Sequence, residues 1–191
     1  MSLSSDDTDE KILAGIGSEP ELFGVLIDRY DAKLRRYIQR ISAFRGEDLD
    51  DLMQDIFTKA YIHSSSFDQK LSFNSWIYRI THNQTINTWK KEKRRSHASF
   101  DDEMSQELIS ALVDDELQRY LNISSDKQLI QDALSGISLD DRSILTLRFF
   151  EERSYGEISD ILKMPEGTVA TKIFRAKKKL LREVQKLTKQ S

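Results

Sequence analysis

Apolar residues recur at steps of three and four positions through most of this 191-residue chain, and this spacing constrains the fold more than any other feature. Such spacing lines one face of an α-helix with apolar side chains. Only two prolines and seven glycines occur, so few positions would interrupt a helix. The sequence therefore predicts an all-α protein. The longest series comprises Leu22, Phe23, Leu26, Ile27, Tyr30, Leu34, Tyr37, Ile38 and Ile41.

Capping patterns and helix breakers set the limits of the predicted elements. Residues 18–21 read as a capping box, in which Ser18 would be the N-cap of the first long helix. A second helix is predicted after Gly46, a third from Phe73, and four more in the last third of the chain. The predicted parts are an acidic tail (1–18), a first domain (19–95), a flexible acidic linker (96–125) and a second domain (126–191).

The charges are segregated along the chain although the net charge is only -3. Residues 73–95 carry six basic side chains against one acidic, and residues 163–191 carry nine against two. Residues 96–126 between them carry eight acidic side chains against one basic. Two basic segments separated by an acidic one indicate two surfaces that face phosphates. The alternative is that each basic segment is a solvated helix face without a partner.

Several functional classes find little support in the sequence. The chain has no cysteine, so disulfides and thiol chemistry are excluded. His63, His82 and His97 stand at no compact ligand spacing, and we expect no metal and no cofactor. The acidic cluster at Asp48, Asp50, Asp51 and Asp55 lacks the second cluster that a nuclease would need, so we expect no enzyme. No signal peptide or membrane-spanning run is visible, which predicts a cytoplasmic protein without membrane insertion.

A helix-turn-helix is predicted near the carboxyl end of the chain. Ser154 and Glu157 form a capping-box pattern, the chain turns at residues 163–167, and a basic helix opens at Thr168. The second helix of such a unit enters the DNA major groove with its first residues toward the bases. The alternative is an ordinary helix-packing unit. The candidates for base contact are Thr168, Ala170, Thr171, Lys172 and Arg175, and those for phosphate contact are Lys177, Lys178 and Lys179.

Two motifs in this chain resemble the extracytoplasmic-function (ECF) type of RNA polymerase sigma factor, in the sigma-70 superfamily. Residues 147–169 with residues 173–176 resemble region 4 of that family, and residues 51–61, 66–67 and 73–83 resemble region 2. The resemblance covers about residues 19–95 and 126–187. It implies two small helical domains on a flexible linker and a role in directing RNA polymerase to promoters.

The resemblance also implies roles for individual residues of the first domain. Asp51, Gln54 and Asp55 are expected to dock on the β′ clamp helices of core RNA polymerase. A loop and the helix after it are expected to read the melted minus-10 strand, where a flipped base needs a pocket. These candidates are Phe67, Asp68, Gln69, Lys70, Leu71, Ser72, Tyr78, Asn83, Lys90, Arg94 and Arg95. The apolar stripe places Trp76 in the core, whereas Tyr78 is open to either the core or a stacked base.

For the second domain, the resemblance implies contact with the β flap of the polymerase and with minus-35 DNA. Lys172 stands where relatives often carry arginine, and Ala170 stands where they often carry a basic residue. Residues 68–71 lack the usual Arg-Gly pair, so the promoter sequence does not transfer from the family. An anti-sigma factor is a further implied partner. The remaining alternative is a helix-turn-helix regulator that binds DNA without joining the polymerase.

Overall fold

The computed structural model describes residues 7–68, 71–92 and 127–189. All the regular structure within these ranges is helical, which confirms the all-α prediction. The predicted linker and the candidates Gln69, Lys70, Arg94 and Arg95 lie outside the described residues. The helices are α1 (Asp9–Gly15), α2 (Leu22–Ile41), α3 (Gly46–His63), a 3-10 turn (Ser64–Ser66), α4 (Phe73–Glu92), α5 (Lys127–Gly136), α6 (Leu139–Phe149), α7 (Tyr155–Leu162) and α8 (Glu166–Thr188).

The chain divides into two compact units, with α1 to α4 forming the core of the first and α5 to α8 that of the second. In the first unit, the α2 side chains Leu34, Tyr37 and Ile38 have no solvent exposure. Aromatic rings join α2 to its neighbours: Phe23 meets Phe57 of α3 edge to face, with centroids 6.4 Å apart. The predicted apolar stripe of α2 is therefore the face that this core buries.

Residues 9–15, within the predicted acidic tail of residues 1–18, instead form helix α1. Ile12, Leu13 and Ile16 are each at most 5% exposed, so this short helix contributes to the core of the first unit. It packs against α4 and the 3-10 turn. Ile12 and Leu13 within the helix and Ile16 at its C-cap are a weak periodic signal, and contacts with distant residues stabilise a helix this short.

The start of α2 also differs from the sequence prediction, because Ser18 is not its N-cap. The Ser18 hydroxyl donates to the carbonyl of Gly15 (3.0 Å), and its backbone N–H donates to the same oxygen (3.0 Å). Both bonds satisfy the end of α1. A serine near two helix ends can cap either one, and the capping-box pattern alone did not show that a helix precedes it.

The second unit is organised around α8, which packs on α5 and α6. Val169, Ala176 and Leu180 of α8 are at most 3% exposed and form its inner face. Arg142 of α6 is only 5% exposed, and burial lowers the pKa of its guanidinium to about 10. Within the described ranges, no helix has both the length and the apolar character needed to cross a membrane.

Candidate protein and nucleic-acid interfaces

The outer face of α3 carries the three residues that were expected to dock on the polymerase. Asp51, Gln54 and Asp55 are all exposed. Leu52 and Ile56 lie on the opposite face of the helix. They are at most 2% exposed and hold α3 in the core. The helical period therefore separates a buried apolar face from an exposed face that is acidic and polar.

Asp55 is held in place by a side chain from α4. Gln84 is only 8% exposed, and its Nε2 donates to Asp55 Oδ2 at 3.3 Å. Lys59, one turn after Asp55 on α3, donates from Nζ to Gln84 Oε1. The amide of Gln84 thus uses both its donor and its acceptor to link α3 to α4.

A neighbouring carboxylate on α3, that of Asp50, belongs to a different arrangement. Arg35 of α2 donates from Nη1 to Asp50 and from Nε to Asp31, the latter at 2.9 Å. Burial lowers the pKa of Arg35, but its hydrogen bonds to Asp50 and Asp31 outweigh this and raise the pKa above its ordinary value. Asp50 therefore serves the packing of α2 on α3.

Between the 3-10 turn and α4, the structure describes Phe67, Asp68, Leu71 and Ser72, and these four residues are called the reading loop after the role that the resemblance implies. At its start, the half-buried ring of Phe67 lies 5.3 Å from Trp76 and 6.4 Å from Phe73 between centroids. At its end, the Ser72 hydroxyl accepts a hydrogen bond from the N–H of Ser75 at 3.1 Å, which caps α4. Asp68 and Ser72 are exposed, and Leu71 is half-buried.

One face of α4 continues the polar surface of the reading loop. Asn83 and Lys90 are both exposed and are seven residues apart, which places them on the same face two turns apart. Arg79 and Asn87 lie at i-4 and i+4 from Asn83 and extend the same stripe, with Arg79 half-buried and Asn87 exposed. All four side chains can donate hydrogen bonds to nucleic acid.

Tyr78 does not belong to this surface, and of the two alternatives left open for it, the structure has the core position. Its side chain has no solvent exposure, and its ring meets Tyr37 of α2 edge to face with centroids 5.4 Å apart. Trp76 is 6% exposed, which confirms its expected place in the core. Helix α4 is buried on more than one side, since Thr81 and Thr85 are also fully buried, so a single apolar stripe did not identify all of its core positions.

The second unit contains the predicted helix-turn-helix in α7 and α8. Both bonds of the predicted capping box are present: the N–H of Glu157 donates to the Ser154 hydroxyl, and the N–H of Ser154 donates to the Glu157 carboxylate. Desolvation raises the pKa of Glu157, but hydrogen bonds from Ser154 and Arg153 outweigh it and lower the pKa. The turn is made by Lys163, which adopts the left-handed conformation with φ of 53° and ends α7.

The exposed face of α8 lies opposite its buried residues and contains most of the predicted base contacts. Thr168, Thr171, Lys172 and Arg175 are exposed, whereas Ala170 is half-buried. Helical spacing places Thr171 and Arg175 near the centre of this face and Lys172 toward one side. The Thr171 hydroxyl donates to the carbonyl of Gly167 at 2.9 Å, so its oxygen can still accept.

Phe174 shares this exposed face and is a residue that sequence reasoning missed. It is 59% exposed, and Lys178 Nζ lies 4.5 Å from its ring centroid. A core position for Phe174 was suggested by the apolar series of this helix, which comprises Val169, Ile173, Phe174, Leu180, Leu181 and Val184. Val169, Ile173, Ala176 and Leu180 follow one another at steps of three or four positions and form the buried face of the helix. Phe174 directly follows Ile173 in the chain, so it lies off that face, and this position in the repeat is the signal that distinguishes it.

The three candidate phosphate contacts differ in their surroundings. Lys179 Nζ forms an ion pair with Asp141 of α6 at 2.6 Å and is half exposed. Lys177 Nζ lies 5.5 Å from the ring centroid of Phe149, and Lys178 lies over Phe174. Lys179 would have to exchange its ion pair for a phosphate, whereas Lys178 is exposed beside the candidate base contacts. Among the described residues, no cluster of three His, Asp or Glu could hold a metal ion.

Comparison with known families places both units in one protein class. Residues 26–95 match the family Sigma-70 region 2, and residues 127–180 match Sigma-70, region 4. The class is therefore that of sigma-70-type transcription initiation factors, which are not enzymes. The region 2 match distinguishes the chain from a helix-turn-helix regulator that acts without joining the polymerase.

Curated relatives specify the family further. The chain is 30% identical over 190 residues to the ECF RNA polymerase sigma-E factor of Escherichia coli (strain K12), covering 97% of this chain and 98% of the relative. It is 28% identical over 182 residues to the ECF RNA polymerase sigma factor SigW of Bacillus subtilis (strain 168), covering 88% and 92%. The chain belongs to the ECF sigma factors of RNA polymerase. Its function is to direct RNA polymerase to promoters for transcription initiation.

Two solved structures share the fold. One is CnrH in complex with the cytosolic domain of CnrY, with a TM-score of 0.63 and 23% identity over 91% of this chain and 95% of that one. The other is the sigma factor RpoE in complex with the anti-sigma factor NepR from Bartonella quintana, with a TM-score of 0.57 and 19% identity over 86% and 98%.

Proposed function

We propose that promoter recognition is divided between the two units of this sigma factor, so that the first unit binds core polymerase and the minus-10 strand and the second binds minus-35 duplex. The boundaries proposed from the sequence, 19–95 and 126–191, are kept except at the start of the chain. There the packing of α1 into the first unit supports extending that unit to include residues 9–15.

The exposed face of α8 is the observation that carries this proposal for the second unit. Residues 167–179 of the helix contain five basic side chains and no acidic one. Thr171 and Arg175 at the centre of the face can reach base edges, with Thr168 and Lys172 beside them. Lys177, Lys178 and Lys179 lie further along and suit phosphates.

Phe174 is added to these candidates because of its exposure. An aromatic side chain that is 59% exposed between polar neighbours offers apolar contact to a thymine methyl group in the major groove. Ala170 is the weakest of the candidate base contacts, since its small and half-buried side chain can offer only a methyl group.

For the first unit, two surfaces support two binding roles. The exposed acidic face of α3, with Asp51, Gln54 and Asp55, is proposed to dock on the β′ clamp helices. The reading loop with Asn83 and Lys90 is proposed to bind the minus-10 strand, because aromatic and polar side chains lie together there. The second unit is proposed to contact the β flap as well.

The two solved structures that share the fold are both complexes, and one of them supports a proposal about a further partner. CnrH is bound to the cytosolic domain of CnrY, and RpoE is bound to the anti-sigma factor NepR. We propose that an anti-sigma factor also binds the present chain. We further propose that the chain acts in the cytoplasm, needs no cofactor and catalyses no reaction of its own.

The docking proposal is tested with purified core polymerase and the full-length chain. The wild type is expected to co-purify with core polymerase and to support run-off transcription from a library of randomised promoters. The double substitution Asp51→Lys and Asp55→Lys is expected to weaken core binding by about tenfold or more, because it reverses the charge of two side chains that binding would bury in the interface. Asp28→Lys, an exposed carboxylate on α2, is the control and should bind normally. Normal core binding by the double variant would refute the assigned docking face.

A further inference from the structure

The first turn of α1 carries two carboxylates that contact distant parts of the first unit. Asp9 accepts hydrogen bonds from the guanidinium of Arg29 and from the hydroxyl of Tyr30, both on α2. Arg29 also donates to the carbonyl of Asp7 at 2.9 Å. Asp9 therefore fastens α1 to α2.

Glu10 makes the second contact, and it reaches the end of the reading loop. Its Oε1 accepts a hydrogen bond from the backbone N–H of Phe73 at 2.9 Å, across 63 positions of sequence. Phe73 is the first residue of α4, where backbone N–H groups have no partner within the helix. A carboxylate there also interacts favourably with the helix dipole. With the Ser72 hydroxyl bonded to the N–H of Ser75, the start of α4 has one cap from its own chain neighbour and one from α1.

The aromatic cluster extends this contact to the other end of the reading loop. The ring of Phe73 lies 5.1 Å from Tyr30 and 6.4 Å from Phe67 between centroids. Tyr30 is the residue that donates to Asp9. Both ends of the reading loop are thus connected to α1. The Ser72 end is connected through the bond of Glu10 to the neighbouring Phe73, and the Phe67 end through edge-to-face contacts from Phe67 to Phe73 and from Phe73 to Tyr30.

We propose that α1 positions the reading loop for the minus-10 strand and that Glu10 is the positioning residue, acting through the N–H of Phe73. The inference rests on the proposed function of the reading loop. Helix α1 precedes the residues that match region 2, which begin at residue 26, so the family match itself assigns it no role. Glu10 touches no DNA in this proposal. It fixes where the loop ends and α4 begins.

The test uses holoenzyme assembled from core polymerase and full-length variants. The probe is a fluorescent single strand carrying the minus-10 sequence that wild-type holoenzyme selects from a randomised promoter library. Glu10→Ala is expected to weaken binding of this strand by about tenfold, the size of a lost hydrogen bond to a charged group. Its core binding and its binding of minus-35 duplex should stay within about twofold of wild type. Glu21→Ala, an exposed glutamate before α2, is the matched control.

The conservative variant and a direct probe of the loop separate positioning from general stability. Glu10→Gln keeps an oxygen that accepts from Phe73, so it should bind the strand within about twofold of wild type. Hydrogen exchange of the Phe73 amide, followed by NMR, should accelerate in Glu10→Ala and not in Glu10→Gln. Wild-type strand affinity in Glu10→Ala, or equal loss in both variants, would overturn the proposal.

Variants of the reading loop distinguish failure of the positioning role of Glu10 from failure of the proposed strand-binding function of the loop. Phe67→Ala and Asp68→Ala should each weaken binding of the minus-10 strand while core binding is retained. If neither variant changes strand binding, the reading loop does not read the strand and the role of Glu10 falls with it. If they weaken binding and Glu10→Ala does not, only the positioning role is refuted.

Discussion

The two units present their candidate DNA contacts in different ways. In the second unit, the contacts lie on one regular helix, and the helix-turn-helix is set by short-range features: the capping box of Ser154 and Glu157 and the left-handed Lys163. In the first unit, the reading loop is held by contacts between residues far apart in sequence, such as Glu10 with Phe73. The capping and periodicity that form the surface of the second unit can be read from the sequence, whereas the tertiary contacts that hold the reading loop cannot.

The largest expected effect tests whether α1 belongs to the core of the first unit. Ile12 has no solvent exposure, so Ile12→Ala should lower the free energy of unfolding by about 2–5 kcal/mol. Chemical denaturation followed by circular dichroism measures this change. Ile62→Ala removes the same atoms from a side chain that is 63% exposed, and it should change stability by less than about 0.5 kcal/mol. Equal effects of the two substitutions would show that α1 is not part of the core of the first unit.

The next effect concerns the regular helix of the second unit. Arg175→Ala and Lys172→Ala should each weaken minus-35 duplex binding by about 1–3 kcal/mol, with the larger loss at Arg175 because it is nearer the centre of the exposed face. Fluorescence anisotropy with holoenzyme and a minus-35 duplex gives the two affinities. Lys186→Ala, on the same face three turns further along, is the control. Unchanged binding in both variants would contradict the assignment of α8 to the major groove.

A smaller effect tests the local capping of α7. Ser154→Ala should destabilise the second unit by about 1 kcal/mol because an N-cap is lost. The pKa of Glu157 is lowered in the folded state, so its contribution is present above the ordinary value of 4.5 and is lost as the pH falls through the lowered value. The stability difference between wild type and Glu157→Gln should therefore shrink between pH 6 and pH 3. Thermal unfolding across this range would show it, and a difference independent of pH would be inconsistent with a charged cap.

The smallest effect concerns the ion pair between Lys179 and Asp141. Lys179 is half exposed, so Lys179→Ala should change the free energy of unfolding by only about 0.2–1 kcal/mol. Minus-35 binding should fall less than in Lys178→Ala, because Lys179 must give up Asp141 before it meets a phosphate. The same duplex assay compares the two lysines. A greater loss at Lys179 would show that the ion pair opens readily in the complex.

The sequence predicted the elements whose signals are local. The periods of α2, α3 and α8 and the capping box at Ser154 were read correctly, and so was the core position of Trp76. Helix α1 was missed because its stability comes from contacts with α2 and α4. Tyr78 was left open and is buried, because α4 packs on more than one side. The roles of the exposed site residues stay predictions, since exposure shows that they can be reached and not what reaches them.

The bridge between Gln84 and Asp55 has an evolutionary consequence. Gln84 supports a proposed polymerase contact, whereas its chain neighbour Asn83 is exposed on the face proposed for promoter DNA. The polymerase is common to every promoter in a cell, but each sigma factor has its own set of promoters. Across diverging descendants, position 84 should accept only side chains that both donate and accept hydrogen bonds, and position 83 should change with the promoter. Adjacent codons would then evolve at different rates.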